Sequence, residues 1–358
     1  MLGYIHIPFC HRVCPYCSFY KHTPGKTPIG RFIDSLLTET RNRLAESPRS
    51  LYFGGGTPSM LSPAHLRKML DGLARLIDFE ALEDLTLEAN PATFDLAKAS
   101  LFRELGIQRI SLGIQSFAPH VLETLGREHS PEEAAEAVRT LRAAGMPSVN
   151  IDLMFSIPGL SLTDWRRTLE TAIALEPDHI SAYNLTYEED TAFFESLKRG
   201  DLDTDEDRDA EQFMLADELL TAAGYEHYET SNYARPGHRS THNRGYWKGE
   251  DYLGLGPSAV STINAIRTSN VADTDRYIRM IEQVGHATIE TESLTPDQLR
   301  LERIALLLRT EEGVPLSLLN EAELPRLIEA GLAVVKADRL ALTRHGSALV
   351  DPIAAELA

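Results

Sequence analysis

The chain has 358 residues, 43% hydrophobic and 25% charged, with a formal net charge of −18. This is ordinary globular composition. The acidic balance argues against non-specific nucleic-acid binding, and no apolar run approaches the roughly 20 residues of a membrane span. The length suggests two or three structural units. No basic-then-apolar leader opens the sequence, so a reducing cytoplasm is the expected compartment.

From the N-terminus to about residue 190, short apolar strands alternate with amphipathic helices. Strands are expected at Leu2–His6, Ser50–Phe53, Asp84–Glu88, Arg109–Gly113, Val149–Met154 and His179–Asn184. Helices are expected near Pro28–Glu46, Pro63–Ile77, Phe94–Leu105, Pro131–Ala144 and Leu162–Leu175. Ser62-Pro63 and Ser130-Pro131 each place a capping hydroxyl before a first-turn proline. Six βα units with right-handed crossovers imply an α/β fold with a parallel sheet, too few strands to close an eight-stranded barrel. The expectation is a (β/α)6 partial, TIM-like barrel over residues 1–230. A helix near Glu206–Ala223 and a strand at Tyr225–Glu229 end it. Residues 231–290 form a connecting region; 232–270 are rich in Asn, Gly, His and Tyr with little periodicity. Over 291–358, helices at Asp297–Leu308 and Glu323–Ala330 precede strand-like runs at Ala333–Lys336 and Leu340–Leu342. That order resembles a winged helix, a small α+β domain. Acidic residues outnumber basic ones there, so a lid or partner-docking role fits better than DNA reading.

All three cysteines lie within eight residues: Cys10, Cys14 and Cys17. Thiolates spaced C-x3-C-x2-C after an apolar strand can hold three irons of a cubane, leaving the fourth open where such clusters normally have four cysteines. This spacing resembles the radical S-adenosylmethionine (SAM) superfamily, in which the open iron takes the amino and carboxylate groups of SAM. The same cysteines could form a structural zinc site, with His6, His11 or His22 as fourth ligand. A disulfide framework is disfavoured by the odd count.

In such barrels ligands sit at the C-terminal strand ends. After the second strand comes Gly54-Gly55-Gly56-Thr57-Pro58, whose glycines allow close backbone approach to a ligand or simply a tight turn. Glu88 ends the third strand, Gln115 follows the fourth, and Arg127 lies before the helix at Pro131. Asp152 interrupts an apolar strand, where an acid is costly unless partnered; it is either a ligand contact or a satisfied structural acid. Tyr4 is expected to point into the barrel mouth.

Together Tyr4-Ile-His-Ile-Pro-Phe-Cys10, Gly54-Gly-Gly-Thr-Pro-Ser59, Glu88-Ala-Asn-Pro91, Ser111-Leu-Gly-Ile-Gln-Ser116, Gly126-Arg127 and Asn150-Ile-Asp-Leu153 resemble the family of oxygen-independent coproporphyrinogen III oxidase, HemN, and its relative the haem chaperone HemW. The resemblance spans essentially the whole chain. It implies a [4Fe–4S] cluster on Cys10, Cys14 and Cys17, and SAM held by Tyr4, Gly55, Gly56, Thr57, Glu88, Gln115, Arg127 and Asp152. The oxidase pattern has a fourth cysteine where this chain has Phe19, and an N-terminal extension. His242-Asn243-Arg244-Gly245-Tyr246-Trp247 resembles instead the H-N-x-x-Y-W signature of the chaperones, and Leu253-Gly-Leu-Gly-Pro-Ser-Ala259 follows as in both relatives. The resemblance therefore implies haem as cargo, passed to acceptor haemoproteins such as respiratory enzymes, with transient visits to the membrane surface. A coproporphyrinogen III oxidase, a radical enzyme acting on haem and a structural iron–sulfur protein with no turnover are the alternatives. His242 is the first candidate haem ligand, unless the segment is a locally packed surface loop; His6 is the second, unless it orients the cluster or SAM. Oligomeric state stays open, a homodimer included.

Overall fold

The computed structural model describes residues 1–320, 322 and 324–357. Strands β1 (Leu2–Ile7), β2 (Ser50–Gly55), β3 (Asp84–Ala89), β4 (Arg109–Gln115), β5 (Ser148–Phe155) and β6 (His179–Asn184) lie side by side in chain order, all parallel. Helices at Ile29–Arg43, Pro63–Ala74, Leu96–Glu104, Pro131–Ala143 and Leu162–Ala174 connect them. The caps form as the sequence suggests. Ser62 Oγ accepts from the His65 N–H, and Ser130 makes a reciprocal capping box with Glu133.

Strand alternation divides the side chains. Ile5, Ile7, Phe53, Leu87, Ile110, Leu112, Ile151 and Leu153 join one hydrophobic core, each fully buried side chain contributing about 1.5–3 kcal/mol. The opposite register carries polar groups: Tyr4, His6, Tyr52, Glu88, Ser111, Asn150, Asp152 and Tyr183. A polar barrel interior stabilises little by burial, but it provides the hydrogen-bonding surface a ligand needs.

The sheet continues past six strands. β7 (Glu226–Glu229) and β8 (Asn232–Ala234) extend it antiparallel beyond β6. On the other side β9 (Tyr252–Leu255) runs parallel to β1, followed by β10 (Val260–Ile263), β11 (Ile266–Asn270) and β12 (Thr288–Ser293), giving 12 strands in all. Residues 232–270, aperiodic in sequence, thus supply four strands and the helix Thr241–Trp247. These strands are too short to show alternation. The β10–β11 hairpin turns through Asn264 (φ 51°) and Ala265 (φ 62°), a two-residue turn with both residues left-handed that usually ends in glycine. Gly254 and Gly256 are dictated by close approach. A Cβ on Gly254 would sit 2.1 Å from the Val260 carbonyl oxygen, and one on Gly256, at φ +97°, 2.5 Å from that of His6.

A buried carboxylate ties this extension to the barrel. Glu39, on the helix Ile29–Arg43, is fully buried. Its Oε1 accepts from Arg43 (3.0 Å) and Asn270 (2.7 Å); its Oε2 accepts from the Gly256 N–H (2.9 Å) and Tyr277 O–H (2.7 Å).

The C-terminal unit has a second, separate hydrophobic cluster that includes Ile304, Leu307, Val314, Leu327, Leu340 and Ile353. It comprises helices Pro296–Leu307 and Leu324–Glu329, a three-stranded antiparallel sheet of β13 (Val314–Pro315), β15 (Arg339–Leu342) and β14 (Ala333–Lys336), and a closing helix Val350–Leu357 that the sequence reading lacks. The expected helix start at Glu323 lies outside the described residues. Among the described residues no helix is long and apolar enough to cross a membrane.

Candidate functional site

A concavity of about 1020 Å³ at the strand ends, a volume that includes space open to solvent, is lined by all three cysteines. The cysteine loop leaves β1 through buried Phe9 and closes on itself. The Cys10 N–H donates to the His22 carbonyl (3.0 Å) and the His22 N–H to that of Pro8 (2.8 Å). The glycine-rich turn after β2 lies underneath, with the Gly56 N–H on the Ile7 carbonyl and the Thr57 N–H on that of Phe9, both 2.8 Å. A Cβ on Gly56 would meet both carbonyl oxygens at 2.7 Å, so that position excludes any other residue. Thr57 Oγ1 reaches Cys10 Sγ (3.5 Å) and Arg127 Nη1 reaches Cys14 Sγ (3.8 Å).

These thiols fit a cluster. Burial raises the Cys10 and Cys17 pKa values, and neighbouring thiolates raise them further. Bound iron would oppose both effects. Among the described residues no three His, Cys, Asp or Glu side chains converge as ligands of one metal ion; thiolates of a cubane each bind a separate iron.

The rest of the lining is polar and strained where it must be. Gln115 has φ 72° at a bulge where β4 loses register with β5, and its Oε1 accepts from Tyr183 O–H (2.7 Å). A non-glycine residue in left-handed backbone at a bulge is a common way to re-aim a functional side chain. Glu88 accepts from Tyr52 O–H (2.9 Å), and burial pushes its carboxyl up from 4.5 to about 7. Asp152 is also raised by burial; it accepts from Ser111 Oγ (3.0 Å) and Asn150 Nδ2 (2.6 Å). Arg127 donates through Nη2 to the Gly113 carbonyl, while its buried Nε has no partner. A buried unpaired donor costs about 1–3 kcal/mol, and a ligand carboxylate would satisfy it.

The structure brings Gly55, Gly56, Thr57, Glu88, Gln115, Arg127 and Asp152 together around one cavity. Tyr4 is not part of that lining. It stacks on Tyr52 (6.3 Å between rings) and bonds His6 Nδ1 (3.1 Å). His6 Nε2 is taken by the Tyr20 carbonyl (2.7 Å). With both nitrogens engaged, His6 holds the cysteine loop and leaves no lone pair for iron. Tyr16, Asn90, Ser111 and Tyr183 also line the cavity; Asn90 and Ser111 stand in the quoted motifs without an assigned role, and Tyr16 and Tyr183 escaped the sequence reading. For Tyr183 the signal was present, since His179, Ser181 and Tyr183 alternate along β6.

His242 lies elsewhere. Its Nδ1 meets Ser50 Oγ (3.1 Å) at the first residue of β2, the opposite end of the strand from the cavity. The ring stacks on Tyr52 (5.0 Å) and is 8% exposed; burial lowers its pKa to about 4. His242 is therefore buried outside the cavity lining and is not brought together with the SAM candidates.

The rest of the signature joins the barrel to the C-terminal unit. Trp247 donates to Glu229, whose Oε1 also accepts from Asn232. The Arg309 guanidinium lies 6.0 Å from the Trp247 ring centre, and Lys248 pairs with Glu312 (2.7 Å). The backbone links Glu229 to Thr310 and the Thr230 N–H to the Arg309 carbonyl (2.8 Å). Burial pushes the Glu229 carboxyl from 4.5 up to about 8. The folded protein therefore holds this proton more tightly than the unfolded chain, and stability falls as pH rises between about 4.5 and 8. Glu229→Gln is expected to flatten that decline, measured by urea unfolding across the window; an unchanged pH profile would show that Glu229 does not titrate there.

A sequence model of the radical SAM superfamily matches residues 4–172. By fold, the chain resembles the solved coproporphyrinogen III oxidase (HemN) of Escherichia coli at a TM-score of 0.83, covering 99% of this chain and 89% of that one, at 23% identity. Residues 4–172 thus carry a radical SAM domain, in a fold like that of HemN. The chain is 36% identical to "Heme chaperone HemW" of Mycobacterium tuberculosis over 98% of its length and 93% of the relative, and 40% identical to the protein of that name from Escherichia coli K12 over 72% of its length and 68% of the relative. This chain belongs to the HemW family.

Proposed function

We propose that this protein binds haem and delivers it to acceptor haemoproteins, and that it carries a [4Fe–4S] cluster on Cys10, Cys14 and Cys17 with SAM at the open iron. The full-length likeness to HemW relatives carries the reading, and Phe19 in the oxidase's fourth-cysteine position agrees with it. The cluster, when bound, supplies a one-electron reductant beside SAM. The chain's own groups do the rest. The Gly55–Thr57 turn offers backbone to the amino acid end of SAM, and Arg127 Nε offers a donor to its carboxylate. Asp152 and Gln115 offer hydrogen bonds farther along the cavity. Acceptors such as respiratory enzymes would be met at the membrane surface by transient association.

Haem titration should give a saturable Soret shift, and the complex should lose haem to an apo-haemoprotein. Coproporphyrinogen III should remain unconverted under reducing, SAM-replete conditions. Protoporphyrinogen formed over several turnovers per cluster would replace the chaperone reading with the oxidase.

A further inference from the structure

With His6 engaged and His242 buried at the far end of the barrel, neither offers iron a free nitrogen at the cavity. The rim of the cavity does. His11, Arg12, Phe19 and Lys21 line its mouth, and His11, Arg12 and Phe19 are exposed. Phe19 is 66% exposed and Val13, two residues beyond His11, is 47% exposed. Phe19 lines the cavity, whereas Val13 stands on the same loop outside that lining. Neither His11 nor Arg12 makes a side-chain hydrogen bond or ion pair among the described residues, whereas Lys21 is committed to the Cys17 carbonyl. Arg12 extends over the Gly126 turn, its Nη2 4.0 Å from where a Cβ there would stand. An otherwise acidic chain, net −18, thus presents a free imidazole, a free guanidinium and bare apolar surface at one opening.

We propose that the cargo haem docks across this rim, with His11 as an axial ligand to iron, Phe19 and Val13 against the macrocycle, and Arg12 paired with a propionate. This rests on the haem-chaperone reading and gives that reading its site. Haem combines the three features the rim complements: an apolar plane, an iron that takes imidazole, and anionic propionates. Coordination needs no redox step, since a lone pair on a His11 ring nitrogen replaces water or another weak ligand on iron. An exposed ligand is also one an acceptor can displace, as delivery requires. Phe19 then has a positive role: the position that holds a fourth thiol in the oxidase pattern provides apolar contact for cargo.

The test is Soret titration of the cluster-loaded protein and of His11→Ala and Phe19→Ser, with iron and sulfide content confirming that each variant keeps its cluster. His11→Ala should move the Soret maximum, and free imidazole should move it back, a rescue that a merely structural role would not give. Phe19→Ser should weaken binding about tenfold or more. If the unsubstituted protein binds haem and His11→Ala has the same Soret maximum and affinity, the rim is not the site, although the chaperone reading stands. If Phe19→Ser binds as tightly as the unsubstituted protein, the rim is likewise overturned. If the unsubstituted protein binds no haem, both fall.

Discussion

Cys10→Ala/Cys14→Ala/Cys17→Ala, reconstituted anaerobically, is expected to return iron and sulfide at background, against about four of each per chain for the unsubstituted protein. The three thiols are the only ones in the chain, line the same cavity, and are partnered by Thr57 and Arg127. No other side-chain set among the described residues could hold a metal in their place. The barrel should survive the substitutions, because the loop is closed by the backbone pair of Cys10 and His22 rather than by the thiols. Far-ultraviolet circular dichroism should therefore be unchanged. Cluster content equal to that of the unsubstituted protein, or stoichiometric zinc in the latter, would sink the assignment.

Glu39→Ala should have the largest effect on stability, about 3–5 kcal/mol in urea unfolding. Removing this carboxylate takes the counter-charge from Arg43 and one of two acceptors from the Asn270 amide, and it leaves the Tyr277 hydroxyl and the Gly256 N–H unpaired. Three of these partners lie more than 200 residues away in sequence, so the loss should loosen the β9–β12 extension from the barrel. Glu39→Gln, which keeps an acceptor but loses the charge, should lose less. A loss below about 1 kcal/mol in the alanine variant would show that solvent replaces these bonds and that the cluster of contacts is not structural.

The barrel and its cavity were legible in the sequence because both rest on local signals. Strand alternation, Ser-Pro caps and the cysteine spacing are readable within windows of ten residues. Seven of the eight residues assigned to SAM surround one cavity because they sit at strand ends, where topology gathers them. Tyr4 shows the limit. Alternation gave its face but not its surroundings: Tyr4 stacks on Tyr52 and bonds His6 outside the cavity lining. His242 shows a second limit. The signature segment reads as a haem-ligand segment or a locally packed surface loop, and the N-terminal ends of β1 and β2, 192 or more residues earlier, bury it: a Cβ on Gly245 would meet the Leu2 side chain at 2.8 Å. The extension β9–β12 escaped because its strands are four to six residues long and Ala265 stands in a turn position where glycine would have signalled a hairpin. Glu39 gave no signal at all, since a glutamate within an amphipathic helix normally faces water.

The pairing of β1 with β9 also sets a clock on biosynthesis. Strand β1 pairs on one side with β2 but on the other with residues 252–255, far later in the chain. The cysteine loop it carries is pinned through Tyr20 and His22 to Thr274. At roughly 5–20 residues per second, some tens of seconds separate synthesis of the cysteines from synthesis of Thr274. Throughout that interval the nascent chain exposes three thiols on a loop whose final anchor does not yet exist. A chain truncated before β9 is therefore expected to take up iron poorly although all three cysteines are present.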